Sequence, residues 1–285
     1  MTARIQRIST RDDFVIEQDW SSYTPDEHAV WDLLYARQTA LLPGRADAAM
    51  IDGLKALDLG RGGIPDFRIV NEELNKLTGW TVVAVPGLVP DDVFFDHLAN
   101  RRFPAGQFIR TRDQLNYLEE PDIFHDVFGH VPLLTNPVFA DYMQAYGQGG
   151  QRAMKFGRLK NLGALYWYTV EFGLIETPKG LRIYGAGISS SADESHFALE
   201  DLSPNRIRFD LERVMRTSYR IDDFQQTYFV IKSYDELFRA TVDTDFAPLY
   251  DRLGSGPQYT PEDIASGDAV ITTGTQAYAR SRAGG

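Results

Sequence analysis

The feature that most constrains this chain is the run PDIFHDVFGHVP from Pro121 to Pro132. It sets His125 and His130 five positions apart, with Gly129 directly before the second histidine. On an ideal α-helix, two residues at that spacing point well apart around the axis. We therefore expect the helix to stop near Gly129, where glycine permits a turn, and the proline to keep it from resuming. His130 would then project from the turn towards the same point as His125.

A carboxylate in a later segment can complete a metal site. Glu171 lies within YWYTVEFG, and a carboxylate among aromatic residues is costly to bury without a partner. A metal ion would neutralise it, and so would a buried arginine. Two imidazoles and one carboxylate form the ligand set of non-haem Fe(II) sites that keep three coordination positions open. Zinc hydrolases use the same ligands, so residue types alone leave the metal open.

Composition limits the class of protein. A chain of 285 residues with 43% hydrophobic residues can bury a sizeable core. The net charge of −11 argues against nucleic acid or an anionic membrane surface as a partner. The chain has no cysteine, which excludes disulfides and thiolate ligands. No long apolar run and no apolar signal region are visible, so we expect a cytoplasmic protein that does not bind membranes.

Capping residues and hydrophobic periodicity predict mostly helices. Thr24, Pro25 and Glu27 form the pattern of a capped helix start, and Asp66 and Gly79 bracket a second helix. Further helices are predicted from Asp91, from Asn136 to Tyr146, from Leu162 to Leu174, and from Ser233 as the final helix. Extended segments are predicted on both sides of a turn at Thr177–Gly180 and at Phe229–Ile231.

These elements predict a predominantly α fold with short β strands, in the α+β class. We expect an extended N-terminal segment at residues 1–22, one folded domain at residues 23–254, and a flexible tail at residues 255–285. Glycine, serine, proline and threonine dominate that tail, and its last fifteen residues are expected to be disordered. The tail has no apolar heptads, so we expect a monomer.

The histidine run also resembles a known family. Taken position by position, it resembles the signature of the pterin-dependent aromatic amino acid hydroxylases. The resemblance extends from about Tyr23 to about Tyr250, with separated motifs in the family's order: Ile64-Pro65-Asp66-Phe67, QFIR ending at Arg110, YWYTVEFG, and YGAG ending at Gly187. It is greatest to the short bacterial members that act on phenylalanine. It implies that residues 23–254 form one catalytic iron and pterin domain.

The resemblance implies the chemistry. His125, His130 and Glu171 would hold one Fe(II), which activates O2 together with tetrahydrobiopterin or a related tetrahydropterin. One oxygen atom would go to the pterin and the other to the ring of an aromatic amino acid, so that phenylalanine gives tyrosine. Ser190 is implied to hydrogen-bond His125 and so to orient that imidazole.

The resemblance also implies the binding residues. Arg110 would hold the substrate carboxylate in a bidentate grip, braced by Asp122. The substrate ring would be lined by Trp167, Phe172 and Gly187. The pterin would stack on Phe94, with Gly87, Val89 and Tyr166 near it. This chain has Asp126 where eukaryotic members have glutamate, so its contact to the pterin would run through water. It has Leu118 where they have threonine.

Three classes of function remain open at this point. The first is the pterin-dependent hydroxylase, acting on phenylalanine or alternatively on tryptophan. The second is a 2-oxo-acid-dependent iron oxygenase with the same ligands. The third is a zinc protein, hydrolytic or non-catalytic. The motifs outside the ligand set favour the first class, whose partner is a small aromatic amino acid.

Overall fold

The computed structural model describes residues 11–116, 118 and 120–283. Its α-helices are α1 (Pro25–Leu41), α2 (Ala48–Ala56), α3 (Phe67–Thr78), α4 (Asp91–Ala99), α5 (Pro137–Phe156), α6 (Leu159–Tyr166), α7 (Ala186–Ser189), α8 (Ala192–Glu200), α9 (Leu211–Met215), α10 (Tyr234–Val242), α11 (Phe246–Ser255) and α12 (Ala277–Ala283). Two π-helices are π1 (Phe124–His130) and π2 (Trp167–Glu171). Short 3-10 helices lie at Trp20–Ser22, Arg112–Gln114 and Val131–Thr135.

The strands form two small sheets. They are β1 (Thr81–Val85), β2 (Arg102–Gly106), β3 (Leu174–Thr177), β4 (Gly180–Ile183), β5 (Asn205–Arg208), β6 (Thr227–Ile231) and β7 (Val270–Thr272). β1 and β2 pair in parallel, and the larger sheet has the order β4-β3-β6-β5-β7. Within it, β6 runs parallel to β3 and β5, whereas β4 and β7 are antiparallel edge strands. The predicted α+β class is therefore confirmed.

Local chemistry explains where the helices begin and end. The hydroxyl of Thr24 accepts the Glu27 amide while the Glu27 side chain accepts the Thr24 amide, which is the predicted capping box at the start of α1. The Asp66 side chain caps α3, and Gly79 ends it with φ of 74°, a left-handed conformation that glycine adopts readily. Ser233 caps α10 as predicted.

Other predicted elements were wrong in extent. The helix predicted from Leu162 to Leu174 is α6 followed by π2, and residue 174 already starts β3. π2 ends at Glu171. Two residues later, a Cβ on Gly173 would meet the Tyr184 ring at 2.2 Å, so the chain packs closely there against the residue that follows β4.

The helix from Asn136 continues past Tyr146 to Phe156. A Cβ on Gly147 would lie 2.3 Å from the Ala99 amide nitrogen and one on Gly150 would lie 2.0 Å from the Phe95 ring, so these glycines let α4 approach the helix closely. Six helices were not predicted: α2, α7, α8, α9, α11 and α12. The helix capped by Ser233 was predicted to be the final one, which is wrong because α11 and α12 follow it.

The two ends of the chain differ from the expected extended and flexible segments. Residues 1–10 lie outside the described residues; beyond them, Ile16 bridges Ala84 and residues 20–22 form a 3-10 turn. In place of a disordered end, β7 extends the larger sheet and α12 packs through Tyr278 on Phe197. These contacts join residues that are far apart in the sequence, and amino-acid composition cannot predict them. The domain limits at 22 and 254 stay a prediction.

Two apolar clusters meet at the functional elements. π1 buries Phe124 and Phe128 in the larger cluster, and α7 buries Ile188 in the smaller one. The smaller cluster lies against the larger sheet and includes Tyr228 of β6. π1 and α7 are in contact, so the site described next lies where the two clusters join. No helix among the described residues has the length and apolar character needed to span a membrane.

Candidate metal centre

Three predicted ligands converge on one point. The Nε2 atoms of His125 and His130 lie 3.2 Å apart. Glu171 Oε2 is 3.5 Å from His125 Nε2, and Glu171 Oε1 is 3.1 Å from His130 Nε2. Among the described residues, this is the one group of three or more His, Asp or Glu side chains whose possible ligand atoms all lie within 4.8 Å of one another. The geometry brings together residues that are distant in sequence.

The predicted turn at Gly129 was wrong, and a π-helix takes its place. A π-helix has i→i+5 hydrogen bonds, so residues five apart lie about one turn apart on the same side. π1 therefore aligns His125 with His130 without ending between them. π2 repeats this arrangement, because the Phe172 amide donates to the Trp167 carbonyl across five residues at 2.9 Å. The two rings of that pair lie 4.8 Å apart.

Glycines allow α7 to approach both π-helices. A Cβ on Gly129 would meet the Ala186 carbonyl oxygen at 3.0 Å, so this glycine serves close packing and not a turn. A Cβ on Gly185 would lie 2.4 Å from the Glu171 carbonyl oxygen, and one on Gly187 would lie 2.8 Å from the Phe172 ring. The YGAG motif therefore packs the backbone of α7 directly behind the carboxylate ligand.

The hydrogen bonds of Ser190 define the tautomer of His125. The Ser190 hydroxyl donates to the Ala186 carbonyl at 2.7 Å, so its oxygen accepts from His125 Nδ1, 3.0 Å away. The proton of the neutral imidazole is thus on Nδ1, and the Nε2 lone pair points towards His130 and Glu171. The contact implied by the family resemblance is present, and it belongs to the kind of partner that orients a metal-bound histidine.

Electrostatics favour the ligand forms of these side chains. Burial lowers the pKa of His125 to about 4, so its imidazole is neutral at pH 7. Burial acts to raise the pKa of Glu171, but the two neighbouring imidazoles and the Gly187 amide hold it below its ordinary value. Neutral imidazoles and an ionised carboxylate are the forms that bind a cation. The donor set therefore fits a divalent metal.

One side of the centre is open. The side chains of His125 and Glu171 are 18% and 12% exposed, whereas His130 is 4% exposed. His130 is flanked by the rings of Phe103, at 4.9 Å, and Tyr166, at 6.1 Å. Three protein ligands with an open side leave positions for small molecules, as mononuclear catalytic sites require.

Arg110 and Asp122 form a buried pair beside His125. Asp122 accepts from Arg110 Nε at 2.8 Å, Nη2 at 2.8 Å and the backbone amide at 2.9 Å. It also accepts the His125 amide at 3.0 Å, which ties the arginine to π1. Burial acts to raise the pKa of the Asp122 carboxyl, but the hydrogen bonds and the positive charge of Arg110 hold it below its ordinary value. Because Asp122 uses the Nε–Nη2 edge, a carboxylate ligand would have to use the Nη1–Nη2 edge.

Two of the predicted pterin residues, Phe94 and Tyr166, form a chain of rings that leads away from His130. The Phe94 ring of α4 lies 5.8 Å from that of Tyr166, which in turn stacks near His130. Asp126 Oδ2 accepts the Gly106 amide at 2.8 Å, and burial raises the pKa of Asp126 to about 7. Gly87 and Val89 are half-buried in the segment between β1 and α4.

The predicted ring-binding residues adjoin the carboxylate ligand. Trp167 and Phe172 flank Glu171 along the chain, and Gly187 lies against the Phe172 ring. Leu118 is half-buried in the segment that follows Arg110.

Two residues that contact Trp167 were not predicted from the sequence. Tyr219 stacks on the Trp167 indole at 4.8 Å with 19° between the planes, and Gln225 accepts the indole N–H at 2.9 Å. Both lie about fifty residues beyond π2 in an irregular segment before β6. No spacing rule relates them to the motifs, so only the fold brings them together.

Comparison with known proteins agrees with the site. The family model for the biopterin-dependent aromatic amino acid hydroxylases matches residues 17–262. A Caulobacter vibrioides relative named phenylalanine-4-hydroxylase is 68% identical over 269 residues, covering 94% of this chain and 91% of the relative. A Chromobacterium violaceum relative of the same name is 56% identical over 262 residues, covering 92% and 88%.

Solved structures give the same result. The iron- and phenylalanine-bound crystal structure of the Chromobacterium violaceum phenylalanine hydroxylase has a TM-score of 0.87 and 55% identity, covering 91% of this chain and 94% of that one. Its cobalt-bound form has a TM-score of 0.91 and 53% identity, covering 95% and 100%. The resemblance inferred from the motifs is confirmed: the chain belongs to the biopterin-dependent aromatic amino acid hydroxylases, which are pterin-dependent monooxygenases.

Proposed function

We propose that this protein is a phenylalanine 4-monooxygenase that converts L-phenylalanine to L-tyrosine with O2, a tetrahydropterin and one Fe(II). The observation that supports this most is the convergence of ligand atoms from His125, His130 and Glu171 within 4.8 Å. Relatives from three bacteria, 68%, 61% and 56% identical, carry the name phenylalanine-4-hydroxylase.

The proposed roles at the metal follow from the hydrogen bonds. When bound, Fe(II) and the tetrahydropterin together supply the activation of O2. Ser190 keeps the His125 proton on Nδ1, so the Nε2 lone pair stays available. Glu171 supplies the negative charge, and the Gly187 amide holds that carboxylate in place. The open side leaves room for exchange of small ligands.

The proposed substrate site joins a polar end to an apolar wall. Arg110 binds the substrate carboxylate through its Nη1–Nη2 edge, while Asp122 holds the guanidinium from the other edge. Trp167, Phe172 and Gly187 line the ring. Aromatic faces there also stabilise positive charge that develops on the substrate ring during attack.

Phenylalanine fits such a wall better than its hydroxylated or indole counterparts. The indole N–H of Trp167 is already bonded to Gln225, and Phe172 is apolar, so these walls provide no partner for a phenol hydroxyl. Burying a polar group without a partner costs roughly 1–3 kcal/mol. Tyrosine and tryptophan should therefore be poorer substrates.

The proposed pterin site lies beside the metal on the α4 side. Phe94 offers a ring face for stacking, and Tyr166 bridges it to His130. Gly87 and Val89 contribute backbone in the adjoining loop, and Asp126 interacts through water.

We propose that residues 23–254 hold all of these groups, and that the protein acts as a monomer. Residues 255–285 carry no apolar heptads that would bind a partner helix, which supports the monomer. A concentration-independent tetramer in sedimentation experiments would contradict it.

Product analysis tests this function. Iron-loaded protein is supplied with phenylalanine, tyrosine or tryptophan at equal concentration, with tetrahydrobiopterin or with 2-oxoglutarate. We expect tyrosine from phenylalanine as the fastest product, and only with the pterin. Faster formation of 5-hydroxytryptophan or dihydroxyphenylalanine would overturn the substrate, and turnover with 2-oxoglutarate alone would overturn the pterin dependence.

A further inference from the structure

The segment from Tyr219 to Gln225 lies behind the proposed ring pocket. Tyr219 stacks on the Trp167 indole, and Gln225 Oε1 accepts the indole N–H at 2.9 Å. The indole also packs on Phe172 at 4.8 Å. The Trp167 side chain of the proposed pocket is thus held at its ring and at its indole nitrogen by a segment that lies outside the family motifs described above.

Gln225 can present only one edge to the indole. Its Nε2 group donates to the Arg220 carbonyl at 3.1 Å and to the Asp223 carbonyl at 3.2 Å. Both acceptors belong to the same segment, so the amide oxygen must face Trp167. A flipped amide would set two donors against the indole N–H and leave two carbonyls without a partner. The orientation is therefore determined by the whole set of hydrogen bonds.

Gln225 is itself held firmly. It is 2% exposed, and its backbone amide donates to Glu194 Oε1 at 3.3 Å. The same carboxylate oxygen accepts the Tyr228 hydroxyl of β6. The segment is also anchored at Asp223, which accepts the Tyr278 hydroxyl of α12 at 2.6 Å. The amide that faces Trp167 is thus fixed to the sheet and to the C-terminal helix.

We propose that Gln225 is a positioning residue that fixes the rotation of the Trp167 indole and so determines how tightly the pocket fits an apolar aromatic ring. The inference rests on the proposed function, because it assumes that Trp167 borders the substrate. Without the acceptor, the indole N–H is left unbonded, and the ring rotates to find another partner. The consequence is a looser pocket with a polar group accessible to substrate.

The test is a double-mutant cycle with a matched control. Gln225→Leu removes the acceptor, and Trp167→Phe removes the donor. Gln226→Leu is the control, because Gln226 is also buried, at 6% exposed, and its Oε1 has no hydrogen-bond partner among the described residues. Thermal unfolding of all variants establishes that they fold before any comparison is made.

Three readouts separate positioning from loss of stability. The first is the phenylalanine dissociation constant of metal-loaded protein without pterin, measured by calorimetry. The second is the ratio of tyrosine formed to pterin oxidised. The third is the indole N–H resonance of Trp167 among the four tryptophans, assigned by its disappearance in Trp167→Phe.

Gln225→Leu should weaken phenylalanine binding about tenfold. The rotated indole finds a partner in the free protein and has to give it up when the substrate binds, and an unsatisfied buried donor costs about that factor. It should also lower the coupling ratio and shift the Trp167 resonance, whereas Gln226→Leu leaves all three unchanged. In the Trp167→Phe background, Gln225→Leu should have no further effect.

Unchanged binding and resonance in folded Gln225→Leu would overturn the proposal, as would an equal further loss in the Trp167→Phe background. Wild-type protein that forms no tyrosine would refute the proposed function instead. In that case the resonance shift, together with a calorimetric cycle using whichever aromatic amino acid binds, still decides whether Gln225 positions Trp167.

Discussion

At the scale of single residues, one hydroxyl decides which nitrogen of His125 faces the metal position. Ser190 donates to Ala186 and therefore accepts from His125 Nδ1. The imidazole is buried enough to be neutral at pH 7, with its pKa lowered to about 4. Ser190 thus leaves the lone pair of His125 Nε2 free for a metal, although Ser190 does not itself reach the metal position.

Ser190→Ala should weaken Fe(II) binding by about 10- to 100-fold, because partners of this kind typically contribute that factor. Ser189→Ala is the matched control. Its hydroxyl also donates to the Ala186 carbonyl, at 3.2 Å, but no hydrogen bond joins it to His125. Iron affinity is measured by titration with a competing chelator. Equal affinities in the two variants would show that Ser190 does not orient the ligand.

Arg110→Lys should weaken phenylalanine binding by roughly 1.5–3 kcal/mol, the value of a charge-assisted hydrogen bond. A lysine cannot bond Asp122 on one edge and a carboxylate on the other. Arg112→Lys is the control, since that side chain is half exposed and pairs with Asp26 at the surface. Calorimetry on metal-loaded protein measures both. An unchanged dissociation constant in Arg110→Lys would place the carboxylate elsewhere.

At the scale of elements, the ligand residues were predictable but their arrangement was not. His125, His130 and Glu171 stand out because their side chains have ligand chemistry and because one run spaces the histidines. The π-helix was missed, because the expectation assumed α-helical turns and seven residues are too few for periodicity to distinguish the two. Residue types therefore suggested the ligands and the family resemblance selected them, while the backbone that aligns them required the structure.

Gly129→Ala should disturb the packing of π1 on α7. The added methyl would lie 3.0 Å from the Ala186 carbonyl oxygen, which forces a shift. We expect a loss of about 1–3 kcal/mol in the free energy of unfolding together with weaker iron binding. Gly149→Ala in α5 is the control, because nothing lies within 4 Å of its added methyl. That variant should be stabilised by about 0.5–1 kcal/mol. Equal effects of the two substitutions in denaturant unfolding would contradict the packing role.

At the scale of the whole molecule, the sheet and the C-terminal region support the site from behind. Strand β6, the Glu194 carboxylate and α12 all contact the segment that ends at Gln225. The strand at Phe229–Ile231 was predictable from its β-branched and aromatic residues. The pairing of β7 with β5 and the contacts of Gln225 were not, because they join residues far apart in sequence.

Glu194→Gln should gain stability relative to the wild type as the pH rises. Burial raises the pKa of Glu194 from its ordinary value of 4.5 to about 7. Between these values the folded protein binds more protons than the unfolded chain, so wild-type stability falls as pH rises through that window. Glutamine has no titrating carboxyl, so Glu194→Gln lacks this pH dependence. The difference in unfolding free energy should grow by roughly 1–3 kcal/mol between about pH 5 and pH 8.

The control for this pH effect is Glu176→Gln. The pKa of Glu176 is lowered by its hydrogen bond from Arg208, and neither group changes charge between pH 5 and pH 8, so the difference of this variant from the wild type should not grow with pH. Thermal and denaturant unfolding at several pH values measure both variants. A flat difference for Glu194→Gln across the window would show that this carboxyl does not bind its proton more tightly in the folded protein.

The central claim is that one Fe(II), held by His125, His130 and Glu171, works with a tetrahydropterin to form tyrosine. The most direct measurement is iron per chain together with pterin-dependent tyrosine formation, in the wild type, in His130→Ala, and in His196→Ala as an exposed-histidine control. We predict one iron per chain and tyrosine formation in the wild type and the control, and loss of both in folded His130→Ala. Full iron content in folded His130→Ala, or tyrosine formed without pterin, would contradict the account.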